Sequence, residues 1–376
     1  MSERTAHGQR TLSGESFTSE EIFREEGERI FRRHWLAAGH VAQLAAPGSY
    51  FLFELGGESV IIVRGDDGVV RAHHNLCRHR GSRLCDEAQG ELGRAIQCPY
   101  HAWTYGLDGA LRAAPNMQGV AGFERAEHGL RPCAVAEWEG LVFVHLGEAP
   151  GPIESAVEPL AGRVERWRLR ELARVHRTHY EVAANWKLFF HNYNECYHCP
   201  NAHPHLNRLT PYKNTANDLA EGAVLGGPMW MTDADGSMTM GGERCAPLLP
   251  GLDEADRGQV LYYTLFPSMF LSLHPDYVLV HRAVPLSRVA TRIVCDWYFH
   301  PEAVAAPGFD PQPAIEFWDL TNRQDWELCA NTHRGVTSAA YVPGPYSELE
   351  SQLAAFDREY LRAMGRPARP AIVAAS

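Results

Sequence analysis

Residues 75–103 read NLCRHRGSRLCDEAQGELGRAIQCPYHAW, and they decide the fold of the first half of the chain. The stretch holds a C-x-H (Cys77, His79), a gap of 18 residues, then a C-x-x-H (Cys98, His101). A [2Fe–2S] cluster takes two ligands per iron. Two thiolates with two neutral imidazoles make one iron easier to reduce than in an all-cysteine cluster. Zinc fingers also use two cysteines and two histidines, but in the order Cys-Cys then His-His, with a helix carrying the histidines. Here each short motif mixes the two ligand types among strand-like runs, so an iron–sulfur cluster is expected on two facing loops. Cys85, between the motifs, is not expected to be a ligand.

Outward from this stretch the pattern is β-rich. YFLFEL (50–55), SVIIVR (59–64) and VVRAHHNL (69–76) are separated by GGE and by Gly65-Asp66-Asp67-Gly68, with another turn at Leu107-Asp108-Gly109. Such spacing predicts hairpins and a small β-domain, ending near the linker-like Gly147–Pro152. Before it, residues 17–36 read as a helix with Thr18 as N-cap, Glu21 as its capping-box partner, and Ile22, Ile30, Phe31 and Trp35 on the apolar side. After it, residues 183–199 read helical, with Pro200 ending the run. Strand-like runs fill 259–299, and 312–332 reads as an amphipathic helix. The fold class is therefore α+β. The division expected is 40–155 for the cluster domain, with 1–39 and 156–376 forming the second. The tail at 365–376 is expected to be loose, and no internal repeat is present.

Composition bounds the rest. Hydrophobic content of 45% and charged content of 22% are those of a globular chain. A net charge of -11 leaves no basic footprint for nucleic acid. No stretch approaches the roughly 20 apolar residues of a membrane span. MSERTAHGQR carries no apolar run after its charges, so no signal peptide is expected, and the protein is expected to be cytoplasmic. Its nine cysteines would then be mostly reduced.

A second stretch, NECYHCPNAH (194–203), packs Glu195, Cys196, His198, Cys199 and His203 together. The C-x-x-C suggests zinc. Glu195, His198 and His203 suggest an oxygen- and nitrogen-rich site suited to iron. On a helix Glu195 and His198 would share a side, with His203 folding back after Pro200. With no second cysteine pair nearby, Cys196 and Cys199 are read as small packing groups. His191, Asn192 and His205 are candidates for supporting positions. A third ligand is sought in EFWDLTNRQDWELC. On a wheel of about 100° per residue, Trp318, Leu328 and Cys329 fall within roughly 60° of Asp325, as do Ala314, Thr321 and Thr332. A carboxylate in an apolar stripe is costly unless paired or bound to metal. Asp325 is therefore the candidate, with Asp319 as runner-up.

The C-x-H and C-x-x-H pattern resembles the Rieske motif, with Ala102 where that family usually has Gly before the Trp. NWKLFFHNYNECYHCPNAHP resembles the mononuclear-iron motif of Rieske non-heme iron oxygenase large (α) subunits, and Gln324-Asp325 matches the pattern of the family's carboxylate ligand. The resemblance implies a Rieske domain and a helix-grip catalytic domain with an antiparallel sheet flanked by helices. It implies one [2Fe–2S] cluster on Cys77, His79, Cys98 and His101, and one mononuclear Fe(II) per subunit on His198, His203 and Asp325. Glu195 would be the inter-subunit electron-transfer bridge, between a neighbour's His101 and His198. It also implies a homotrimer, and a separate flavin and iron–sulfur reductase using NAD(P)H, since no G-x-G-x-x-G follows a strand here. Oxygen and a small substrate would meet at the iron.

Glutamate at the bridge and the form NYNECYHC resemble the subgroup acting on glycine betaine, choline, carnitine and stachydrine, as does HPDYVLVHR (274–282). The expected reaction is N-demethylation with formaldehyde release. The alternative is mono- or dioxygenation of an aromatic acid. A quaternary ammonium needs aromatic faces, and Trp230, Tyr262, Tyr263, Phe266, Phe270 and Tyr277 are the candidates. A pure electron carrier would leave 156–376 unexplained, and a zinc-binding interaction protein would need more thiols beside Cys196 and Cys199.

Overall fold

The structure, a computed structural model, describes residues 9–367. The readings of residues 1–8 and of the tail from 368 onward lie outside the described residues. The described residues divide into two compact units, residues 32–153 and residues 9–31 with 154–367.

Two short helices open the chain, α1 (Glu15–Thr18) and α2 (Glu20–Glu26), followed by a π-helical turn, Gly27–Phe31. The single helix expected over 17–36 is thus broken. Ser19 is the N-cap of α2 and accepts from the Ile22 N–H at 3.3 Å, whereas Thr18 donates its hydroxyl back to Gly14 O. The apolar positions survive the break: Ile22, Ile30 and Phe31 are buried. Trp35 lies beyond the helix and donates its indole N–H to Gly151 O.

The 32–153 unit is built of strands, with two 3-10 turns at Val41–Leu44 and Arg125–His128. Its strands are β1 (Leu36–His40), β2 (Ser49–Leu55), β3 (Glu58–Arg64), β4 (Val70–His74), β5 (Gln89–Glu91), β6 (Ala95–Gln97), β7 (Thr104–Gly106), β8 (Leu111–Ala113), β9 (Pro132–Trp138) and β10 (Leu141–His145). Seven form one sheet in the order β1-β10-β9-β4-β3-β2-β5, and β6-β7-β8 form a second. The GDDG and LDG turns join β3 to β4 and β7 to β8, as the turn chemistry predicts. Ile61, Val63, Ile96, Trp103 and Tyr105 make a core beneath the cluster loops.

The other unit holds α3 (Ile153–Val157), β11 (Ala173–Val182), α4 (Lys187–Tyr193), α5 (Cys199–Ala202), α6 (Pro204–Leu209), β12 (Val224–Trp230), β13 (Gln259–Leu265), β14 (Met269–Leu273), β15 (Val278–Ser287), β16 (Ala290–Phe299), α7 (Pro301–Ala305), α8 (Gln312–Val336) and α9 (Ser351–Ala363). Its antiparallel sheet runs β11-β16-β15-β14-β13-β12. Helix α4 packs against both α8 and α9. Two buried ion clusters tie this unit internally. Asp296 is gripped by Arg177 at 2.5 and 2.8 Å and by Arg282 at 3.1 Å. Lys187, wholly buried, pairs with Glu26, which also accepts from Trp186 Nε1 and Tyr360 Oη, each at 2.8 Å. Among the described residues no helix is long and apolar enough to cross a membrane.

Candidate active site: cluster loops and a metal-ligand set

The two cluster loops are closed by the same device. Cys77 N donates to Ser82 O and Gly81 N to Cys77 O in the first; Cys98 N donates to Trp103 O and Ala102 N to Cys98 O in the second. Each needs one left-handed residue, Gly81 (φ 74°) and Ala102 (φ 56°). Cys77 and Cys98 are 2% exposed, while His79 and His101 are exposed with ring centroids 4.8 Å apart. His79 stacks on Trp103 at 4.8 Å. The thiols thus form an inner pair and the imidazoles an outer pair, the two-and-two split that a two-iron cluster with mixed ligands requires. Burial acts to raise the Cys98 thiol, but backbone hydrogen bonds from Tyr100 and His101 outweigh it and hold the thiol below its usual range. Cys85 stands apart, pushed up to about 11 by burial and the nearby Asp86.

At the second site the helix expected over 183–199 stops at Tyr193. Pro200 does not end a helix; it sits in the first turn of α5, where a missing N–H costs nothing. Glu195 and His198 still meet, through a turn instead of a helix face. Glu195 Oε2 accepts from the backbone N–H groups of Tyr197 and His198, and Oε1 lies 2.6 Å from His198 Nδ1. His203 lies at the junction of α5 and α6, 2% exposed. Asp325, on α8, completes the set. Its Oδ1 is 3.2 Å from His198 Nε2 and 2.7 Å from His203 Nε2. One ligand atom from each of the three lies within 4.8 Å of the others.

Two imidazole nitrogens and a carboxylate oxygen are the donor set suited to a divalent iron with positions left open. Burial alone would raise Asp325 and lower His198. The hydrogen bonds among them win, holding Asp325 down at about 2 and His198 up at about 10. The carboxylate thus gathers positive charge around itself, and a bound cation would take the place of those protons. Asp325 lies well inside the buried face of α8, with buried residues on both sides of it around the helix. Ala314, Trp318, Thr321 and Cys329 are buried, but Leu328 is 37% exposed and Thr332 is exposed. Asp319 is elsewhere, bonded to Tyr180 and Arg323. Of the supporting candidates, Asn192 donates to Asp325 Oδ1 at 2.9 Å. His191 pairs with Asp357, and His205 packs edge-on against Phe317.

Cys196 and Cys199 form a disulfide, the pair's Cα atoms 5.0 Å apart. The pair is thus a covalent link, not two small packing groups, and neither sulfur is free for zinc. Three-residue spacing inside a tight turn brings the sulfurs together, as it would not on a regular helix. The other seven cysteines are free.

A cavity of about 390 Å³ opens beside the ligand set, with Tyr193, Tyr262, Trp318 and Lys213 among its lining residues. Of the six aromatics singled out in the sequence, only Tyr262 lines it. Tyr263, Phe266, Phe270 and Tyr277 are core residues, and Trp230 is 39% exposed at the end of β12. Tyr193 and Trp318 were not among those six, because they reach the cavity from α4 and α8.

Comparison with known proteins shows the family. Residues 169–366 match the family described as ring hydroxylating alpha subunit (catalytic domain), and residues 34–124 match the Rieske [2Fe–2S] domain. The chain is 33% identical to the glycine betaine monooxygenase oxygenase subunit of Chromohalobacter salexigens, over 92% of this chain and 83% of that protein. It is 29% identical to the carnitine monooxygenase oxygenase subunit of Escherichia coli, over 88% and 85%. Among solved structures, the quaternary ammonium Rieske monooxygenase CntA superposes with a TM-score of 0.84 at 26% identity, covering 96% of this chain and 97% of that one. The chain belongs to the Rieske oxygenase α-subunit family, and joins a Rieske [2Fe–2S] domain to a catalytic domain that binds mononuclear iron.

Proposed function

We propose that this chain is a terminal oxygenase that removes a methyl group from a small quaternary ammonium compound, glycine betaine being the first candidate. The observation that carries this reading is the aromatic wall of the cavity beside His198, His203 and Asp325. A trimethylammonium group has no N–H to donate, so it is held by π faces, each contributing about 0.5–2 kcal/mol. Tyr193, Tyr262 and Trp318 line the cavity and are the rings that would supply such faces. Lys213, over the Tyr212 ring at 5.4 Å, lines the same cavity and offers a positive charge to a substrate carboxylate. The named activities of the glycine betaine and carnitine relatives favour the same class.

In this reading His198, His203 and Asp325 hold the iron, and Cys77, His79, Cys98 and His101 hold the cluster. Bound there, the two centres supply oxygen activation and single-electron delivery. The chain's own task is positioning. The aromatic faces fix the cationic head so that one methyl points at the metal-ligand set. Glu195, hydrogen-bonded to His198 Nδ1, links that set to electrons arriving from a neighbouring subunit's cluster in a homotrimer. A separate reductase draws a pair of electrons from NAD(P)H. With the pair taken from the C–H bond they reduce O2, one oxygen entering the methyl and the other leaving as water. The N-hydroxymethyl product then loses formaldehyde and leaves a tertiary amine.

The test supplies reductase and NADH to the holoenzyme and measures formaldehyde against oxygen consumed, with glycine betaine, carnitine, choline and stachydrine in parallel. Formaldehyde equal to oxygen with one of them is the expected result. Oxygen uptake only with aromatic acids, and no formaldehyde, would replace this reading by ring oxygenation.

A further inference from the structure

His203 is held on both ring nitrogens by consecutive residues of one helix. Its Nε2 lies 2.7 Å from Asp325 Oδ1, and its Nδ1 lies 2.8 Å from Gln324 Oε1. Helix α8 turns about 100° per residue, so the side chains of Gln324 and Asp325 diverge enough to straddle an imidazole. The ring itself is 2% exposed, so water has little access to either nitrogen.

An imidazole that offers the Nε2 lone pair to a metal must carry its proton on Nδ1, and the partner of that N–H selects the tautomer and the ring orientation. We infer that Gln324 is the positioning residue for His203: its amide oxygen accepts the Nδ1–H, presenting Nε2 toward the ligand set. The two histidines are therefore supported differently. His198 leans on a carboxylate, Glu195, and His203 on a neutral amide. Glu195 and Asp325 already place two negative charges at the site. An amide at position 324 fixes geometry without adding a third, which would stabilise the higher charge state of a bound metal. The inference rests on the reading of His203 as an iron ligand.

The test uses the full-length protein stripped of mononuclear iron but with its cluster intact, cluster absorbance serving as the folding control. Fe(II) affinity is measured anaerobically by competition with a chromogenic chelator. Gln324→Leu is expected to bind about 10–100-fold more weakly. Gln324→Glu, which still accepts the N–H, is expected within about threefold of the parent, with a more negative midpoint potential for the mononuclear iron. Should Gln324→Leu lose its cluster absorbance, Gln324→Asn, too short to reach the ring, takes its place with the same loss expected. Affinity within about twofold of the parent in the leucine or asparagine variant overturns the inference. So does a loss in Gln324→Glu as large as in Gln324→Leu. His203→Ala separates this from the underlying reading. If His203→Ala binds iron normally, the ligand assignment is wrong; if it loses iron while Gln324→Leu keeps it, only the role of Gln324 fails.

Discussion

Glu195 Oε1 stands 2.6 Å from His198 Nδ1, on the side of the imidazole opposite the nitrogen that faces Asp325. The carboxylate is thus bonded to the ring without entering the ligand set. Glu195→Gln keeps the size of the side chain and an oxygen able to accept from Nδ1. It is expected to retain iron while turnover falls about 10–100-fold. Reduction of the cluster by the reductase should be unchanged. Full turnover in an iron-replete Glu195→Gln protein would remove Glu195 from the electron path.

Asp296 is a stability determinant away from the site. Burial acts to raise its carboxyl, but Arg282 and Arg177 outweigh that and hold it below its usual range. Asp296→Asn leaves those guanidinium groups without their partner, with an expected cost of about 3–5 kcal/mol in denaturant unfolding at neutral pH. A depressed carboxyl contributes stability that is complete above the unfolded value, about 3.9, and is lost as pH falls through the folded one. The gap between parent and Asp296→Asn should therefore be constant from pH 5 to 7 and narrow below about pH 4.

Ala102 carries backbone strain, because an L-residue at φ 56° brings its Cβ against the following carbonyl. Glycine there relieves roughly 1–2 kcal/mol, offset by the roughly 0.4–1 kcal/mol glycine adds to unfolded-state entropy. Ala102→Gly should leave the cluster spectrum unchanged and raise the unfolding free energy by about 0–1.6 kcal/mol. Ala102→Val should shift it down.

The Cys196–Cys199 disulfide brackets His198 and follows Glu195 directly. Protein denatured without reductant should titrate seven free thiols, and the remaining pair should appear only after reduction. Nine thiols without reductant would show the pair to be reduced.

Much of the candidate site's arrangement was legible because short spacing encodes it. Cys77 with His79, and Cys98 with His101, are each confined to one turn, so the sequence separation fixes their pairing. Asp325 was legible because α8 is one continuous helix, whose period can be followed for 25 residues. The stretch 194–203 misled at the level of secondary structure. The Glu195 side chain binds the backbone N–H groups of Tyr197 and His198, and so supports a turn that no helical period announces. The disulfide depends on that turn and was hidden with it. The cavity wall was hidden for another reason: Tyr193 and Trp318 become neighbours of Tyr262 only when α4 and α8 pack beside β13.

The most direct test of the account is the iron and acid-labile sulfide content of the parent and of Asp325→Ala. About three irons and two sulfides per chain are predicted for the parent. The variant should hold about two irons with both sulfides and an unaltered cluster spectrum. An Asp325→Ala protein that kept its third iron would contradict the assignment of His198, His203 and Asp325 as the metal centre.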